Sequence, residues 1–215
     1  MADEDPATSE DKPGDGFSTR TKVRRRGQNT AADVREAALT LFAERGYRAT
    51  GMRDIAEALD IRPTSVYSHV DSKATLLHDL LLETTADLLR LQEQAIASSQ
   101  NPAQQLRRVA EEMVLYFIRH RRAALLEARE WASAEGDTLA EINRRRGVFR
   151  REMEAILTRG KDEGRFSVES VNLAATAIIK MFESVAEWYS PEHDLSPTQI
   201  AYLFGEYALR IVKGD

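Results

Sequence analysis

The chain has 215 residues, 42% of them hydrophobic and 30% charged, with a net charge of −5. That is room for one domain or two small ones, with a core that needs no covalent staples. Cysteine is absent, which excludes disulfides, thiolate catalysis, iron–sulfur clusters and cysteine-type zinc sites.

No apolar run reaches the roughly 18 residues of a membrane span. The acidic, Pro/Ser/Gly-rich start is unlike a signal peptide, so a cytoplasmic protein with no membrane partner is expected. The acidic total conceals a basic segment. Residues 1–16 carry six acids and one Lys, 17–80 carry 11 cations against 8 acids, and 81–215 carry 18 against 21. A phosphate backbone responds to the local charge, not to the total.

Residues 1–28 read as a disordered tail ending in a basic arm, Arg20, Lys22, Arg24, Arg25 and Arg26. From residue 30 the pattern is helical. Thr30 with Asp33 three residues on is a capping-box signal, and Val34, Ala38, Leu41 and Phe42 share one face until Gly46 stops the helix. Short helices are expected at about 52–59 and 63–69, the second with Pro63 in its first turn. Asp71 or Ser72 then caps a long helix over about 73–98. Further helices are expected at about 102–119, 123–132, 137–162 and 171–188. The last starts at Ser196-Pro197-Thr198-Gln199 and ends near 212. There is no strand signal, so the fold class is all-α with nine helices.

Short helix, tight turn, short helix is the helix-turn-helix arrangement, whose second helix enters the major groove. Arg62, Thr64, Ser65 and Ser68 would lie on its exposed side, able to reach bases or phosphates. Tyr67 and His69 suit phosphate oxygens. Lys73 opposes the dipole of the helix it begins and calls for an anion nearby, which a DNA phosphate would supply.

Gly46-Tyr47, Thr50, Asp54-Ile55-Ala56, Val66-Tyr67, His69, Ser72-Lys73 and Leu76-Leu77 together resemble the N-terminal signature of the TetR/AcrR transcriptional regulators. The resemblance implies the nine-helix fold of that family, with a DNA-binding domain at 29–75 and a ligand-binding and dimerisation domain at 76–215. It implies a ligand-responsive repressor that binds a palindromic operator as a homodimer and is released by a small-molecule effector. Thr50 and Arg53 join the DNA-contact set on the same basis. The sequence departs from the family pattern at Gly51, Asp60, Val70 and Ala74, which bears on base-reading roles more than on phosphate contacts. An activator or constitutive DNA binder is the alternative, and a helical adaptor the remote one.

In the C-terminal part, Val171 to Ala186 and Ile200 to Ile211 carry broad apolar faces. By resemblance these helices form the dimer interface, through Ile178, Phe182, Val185, Ile200, Leu203, Phe204 and Tyr207. Candidates for the ligand pocket are Met113, Tyr116, Phe117, Leu125, Trp131, Phe149, Met181 and Trp188, of types that suit an adaptable apolar cavity. Arg146 and Arg150 share a helix face, where an inward arginine would attract an anionic ligand. Residues 144–212 also resemble TetR relatives that respond to CoA thioesters, which makes an acyl-CoA a candidate effector. No HExxH, GxSxG, P-loop or dinucleotide glycine pattern occurs, so no enzyme and no cofactor is expected. The four His, at 69, 78, 120 and 193, are scattered, so no metal is expected.

Overall fold

A computed structural model describes residues 30–213. Among them are nine α-helices and no strand. α1 spans Ala31–Arg45, α2 Met52–Ala58, α3 Pro63–Tyr67, α4 Lys73–Ala97 and α5 Pro102–Arg119. α6 spans Arg121–Glu130, α7 Gly136–Asp162, α8 Val171–Trp188 and α9 Pro197–Lys213.

The helix ends follow local chemistry. Thr30 Oγ1 accepts from the Asp33 amide while the Asp33 carboxylate accepts from the Thr30 amide at 2.8 Å, a reciprocal cap. Gly46, at φ +89°, ends α1. Gly51 caps α2 with no side chain of its own, and the Asp54 carboxylate accepts its amide at 2.6 Å instead. Asp60 takes φ +52° in the turn before α3, a left-handed conformation that Asp tolerates better than most residues. α3 is two residues shorter than expected, because Ser68 and His69 continue as a turn. α6 begins two residues earlier than expected, and His120 serves as both the end of α5 and the start of α6.

Two apolar cores form. One joins Val34, Leu41 and Phe42 of α1 with Ile55, Val66 and the first turns of α4, and it also takes in Leu126, Ala134 and Ile142 from the α6–α7 region. The other holds Met113 and Phe117 of α5, Met153 and Ile156 of α7, Phe182 and Val185 of α8, and Ile200 and Leu209 of α9. The helix-turn-helix thus shares its core with α6 and the start of α7. Polar ties also join α1 to α4. Arg35 of α1 pairs with Asp79 at 3.1 Å and with Glu83, both on α4.

Candidate nucleic-acid interface and ligand cavity

α2 and α3 pack together over Ile55, Ala56 and Val66, all buried. The side chains left outside are those expected to meet DNA. Arg53, Arg62, Thr64, Tyr67, Ser68 and His69 are exposed, with Tyr67 at 54%, and Ser65 is half-buried. Ser68 Oγ donates to the Ser65 carbonyl at 2.7 Å, which closes the end of α3. Arg20, Lys22, Arg24, Arg25 and Arg26 lie outside the described residues.

Lys73 has intramolecular acceptors already. Its Nζ donates to the carbonyls of Tyr47 at 3.0 Å and Thr50 at 2.9 Å, and it sits 4.2 Å from the centre of the Tyr47 ring. Those carbonyls supply the compensation its place at a helix N-terminus demands. An ammonium has three donors, so one remains for a phosphate. Thr50 needs correcting as a DNA contact. Its side chain is buried, and Oγ1 donates to the carbonyls of Gly46 at 3.0 Å and Leu41 at 3.3 Å. The hydroxyl is spent on closing the turn between α1 and α2.

That turn is also held from the C-terminal part. Glu130, at the end of α6, accepts the Tyr47 amide at 3.1 Å on Oε1 and the Ser133 hydroxyl at 2.9 Å on Oε2. One helical turn earlier on α6, Glu127 faces a cavity.

This cavity, of about 260 Å³, lies between α4, α7 and α8. Leu88, Leu89, Phe117, Phe149, Ile179 and Phe182 form its apolar walls, and Arg145, Arg146, Arg150, Glu127, Lys180 and Glu183 its charged ones. Two arginines already have carboxylate partners. Arg145 lies 2.5 Å from Glu141, which it shares with Arg144, and caps the Leu82 carbonyl. Arg146 pairs with Glu127 and lies over the Trp131 ring, 4.8 Å from its centre. Arg150 donates to Thr176 Oγ1 at 2.7 Å and pairs with no carboxylate among the described residues. Burial raises the Glu127 carboxyl above its ordinary range, against the opposing pull of Arg146.

Of the ligand candidates, Phe117, Arg146, Phe149 and Arg150 line this cavity. Met113 and Leu125 are packed in the C-terminal core instead, where a large apolar side chain goes when its helix face meets three neighbours. Tyr116 is likewise buried, stacked on His120 at 4.6 Å, and burial raises its phenol. Met181 packs half-buried against that core, Trp131 touches the cavity only through Arg146, and Trp188 lies in an outer cleft beside Arg119–Arg122. Glu127, Thr85, Thr176, Lys180 and Glu183 escaped sequence reasoning. The available signal was Glu127 itself, an acid directly after the apolar pair Leu125-Leu126.

Four dimer candidates also need correcting. Ile178, Phe182, Val185 and Ile200 are each at most 2% exposed within the single chain, because α8 and α9 spend those faces on their own core. Leu203 and Phe204 are half-buried and Tyr207 is exposed. Leu173, Trp188, Tyr202 and Ile211 of the same helices are also exposed, with Trp188 stacked on Phe204 at 6.2 Å.

Residues 34–80 match the family pattern described as bacterial regulatory proteins, tetR family, and residues 99–212 match the tetracyclin repressor-like C-terminal domain. The chain belongs to the TetR family. The HTH-type transcriptional repressor KstR2 of Mycobacterium tuberculosis (strain H37Rv) is 29% identical to this TetR regulator over 187 residues, 85% of this chain and 90% of that one. KstR2 of Rhodococcus jostii (strain RHA1) is 42% identical over 66 residues, which is 31% of this chain and 32% of that protein's length. The solved structure of the ketosteroid transcriptional regulator KstR2 of Mycobacterium tuberculosis superposes with a TM-score of 0.81 at 25% identity, covering 86% of this chain and 95% of that one. No helix of the described part of the regulator is long and apolar enough to cross a membrane, and no group of three or more His, Asp or Glu there is placed to hold a metal.

Proposed function

We propose that this TetR regulator is a cytoplasmic, non-enzymatic repressor that binds a palindromic operator as a homodimer and is released by an anionic amphipathic effector. A CoA thioester or another hydrophobic acid derivative fits the chemistry. Residues 1–28 are a tail whose basic arm runs from Arg20 to Arg26, 29–75 bind DNA, and 76–215 bind ligand and dimerise. Arg53, Arg62, Tyr67, Ser68, His69, the free donor of Lys73 and the arm contact the backbone, while Thr64 and Ser65 meet base edges.

One observation carries the effector class: Arg150 stands in a partly apolar cavity with a hydroxyl for a partner and, among the described residues, no carboxylate. A guanidinium so placed favours an anion, and the surrounding Leu, Phe and Ile side chains favour an acyl body. The KstR2 relatives, repressors by name and in one case a ketosteroid regulator, support the direction of control and a bulky apolar ligand body. Release follows by linkage: a ligand preferring a headpiece spacing other than one helical turn of DNA, roughly 34–36 Å, weakens operator binding by the same free energy.

The test is fluorescence anisotropy on DNA from upstream of the protein's own gene, titrated with decanoyl-CoA. The thioester should release the wild-type protein from DNA. Arg150→Met should bind the same DNA unchanged and resist release at least about tenfold, the loss of one charge-assisted contact. Equal release of both proteins would remove Arg150 from the effector site.

A further inference from the structure

Gln92, on α4, is fully buried. Its Nε2 donates to the Phe149 carbonyl of α7 at 2.9 Å. That bond fixes the amide, since the flipped form would set oxygen against oxygen. Oε1 is left over, and among the described residues it is the buried side-chain nitrogen or oxygen with no hydrogen-bond partner.

The other enclosed polar side chains of the C-terminal part are satisfied. Gln105 donates to the carbonyls of Ile96 and Ser99 and accepts from Arg159. Thr84 and Thr85 each donate to the preceding helical turn. Glu127 holds Arg146. An enclosed acceptor without a donor is a standing cost in the resting protein. Leucine at position 92 would avoid it.

The location is informative. Gln92 walls a recess of about 260 Å³ between α4 and α7, together with Leu89, Ile96, Val148 and Glu152. Leu89 is also a wall of the arginine-lined cavity, and Phe149 contributes to that cavity as well as holding Gln92 through its carbonyl. Leu89 thus borders both spaces, and a ligand anchored on Arg150 and extended past Leu89 would approach Gln92.

We propose that Gln92 determines effector specificity: its Oε1 accepts a hydrogen bond from a hydroxyl or amide N–H on the effector's acyl portion, selecting a hydrogen-bond-donating acyl group over plain hydrocarbon. This rests on the reading of the α4–α7–α8 cavity as the effector site. A site with a polar atom to satisfy rejects an analogue lacking the donor far more strongly than an apolar wall rejects a change of one methylene.

Two measurements on the full chain test it. The first needs no ligand. Gln92→Leu should raise Tm, because it removes the orphan oxygen while the Phe149 carbonyl keeps its own helical hydrogen bond. A lower Tm would mean that Oε1 has a partner in the resting protein, such as an enclosed water, and would overturn the proposal. The second is calorimetric titration of wild type, Gln92→Leu and Arg150→Met with decanoyl-CoA, 3-hydroxydecanoyl-CoA and 10-hydroxydecanoyl-CoA. A hydroxylated thioester should bind wild type at least tenfold more tightly than decanoyl-CoA, and that ratio should fall to near one in Gln92→Leu. Arg150→Met should weaken all three alike. Equal wild-type affinities, or a preference that Gln92→Leu leaves intact, would overturn the role of Gln92 while leaving the cavity assignment standing. Failure of all three to bind wild type would overturn the cavity assignment and the proposal with it.

Discussion

Lys73 and Tyr67 both belong to the proposed phosphate contacts, yet they differ in how the fold uses them. Tyr67 is exposed and Lys73 is bonded to two carbonyls. Tyr67→Ala should therefore weaken DNA binding and leave stability nearly unchanged. Lys73→Ala should weaken binding on all sequences and also lower the unfolding free energy by about 1–3 kcal/mol, the cost of two carbonyls losing a charged donor; urea denaturation separates the two variants. Thr50→Val should cost about 1 kcal/mol of stability and leave base preference intact, since its hydroxyl serves the turn. A change of base preference on a panel of operator variants would restore Thr50 to the interface. Glu127 carries a pH signature. Its carboxyl is raised, first by burial, so the folded state holds that proton more tightly than the unfolded chain does. Its contribution is fully present below the ordinary Glu range and is lost as pH rises through the raised value. Glu127→Gln should lack this decline, which denaturant unfolding at a series of pH values would show.

Among the elements, α6 links the cavity to the headpiece. Glu127 faces the cavity, Glu130 holds the Tyr47 amide, and Leu126 packs into the headpiece core. A polar residue every third or fourth position on a short helix reads as a solvated face in sequence; here those positions grip two different neighbours. The end of α7 shows a tighter constraint. A Cβ on Gly160 would lie 2.0 Å from the Phe166 ring, and the Gly160 carbonyl accepts the amides of Arg165 and Phe166. Gly160→Ala should destabilise by about 1–3 kcal/mol through overpacking, visible as a lower Tm, whereas alanine in a mid-helix site with space would stabilise.

At the scale of the whole molecule, α8 and α9 are apolar on two sides. One side closes the chain's own core, while Leu173 and Trp188 of α8 and Tyr207 and Ile211 of α9 lie in the open. A second copy on that surface would place two headpieces on one operator. Tyr207→Glu should yield a monomer in sedimentation velocity and weaken operator binding about 100-fold or more, the loss of the second half-site's effective concentration. A variant that remained dimeric would move the interface elsewhere.

Helix positions and type came directly from periodicity and from caps: Thr30 with Asp33, Gly46, Pro63, Ser72 and Ser196 each act within a few residues of themselves. The family was equally legible, because Gly46 to Leu77 bring Tyr67, His69 and Lys73 together in one short stretch. What periodicity could not decide was which of two apolar faces on one helix meets the chain itself. That choice depends on three-dimensional neighbours, and it moved Ile178, Phe182, Val185 and Ile200 inward. Spacing along α7 puts Glu141 within reach of Arg144 and Arg145, at i+3 and i+4, but it does not reveal the partner of Arg146, because Glu127 comes from another helix, 19 residues away in sequence. Local hydrogen bonds are written in adjacent residues; burial and charge pairing are settled only when distant helices meet.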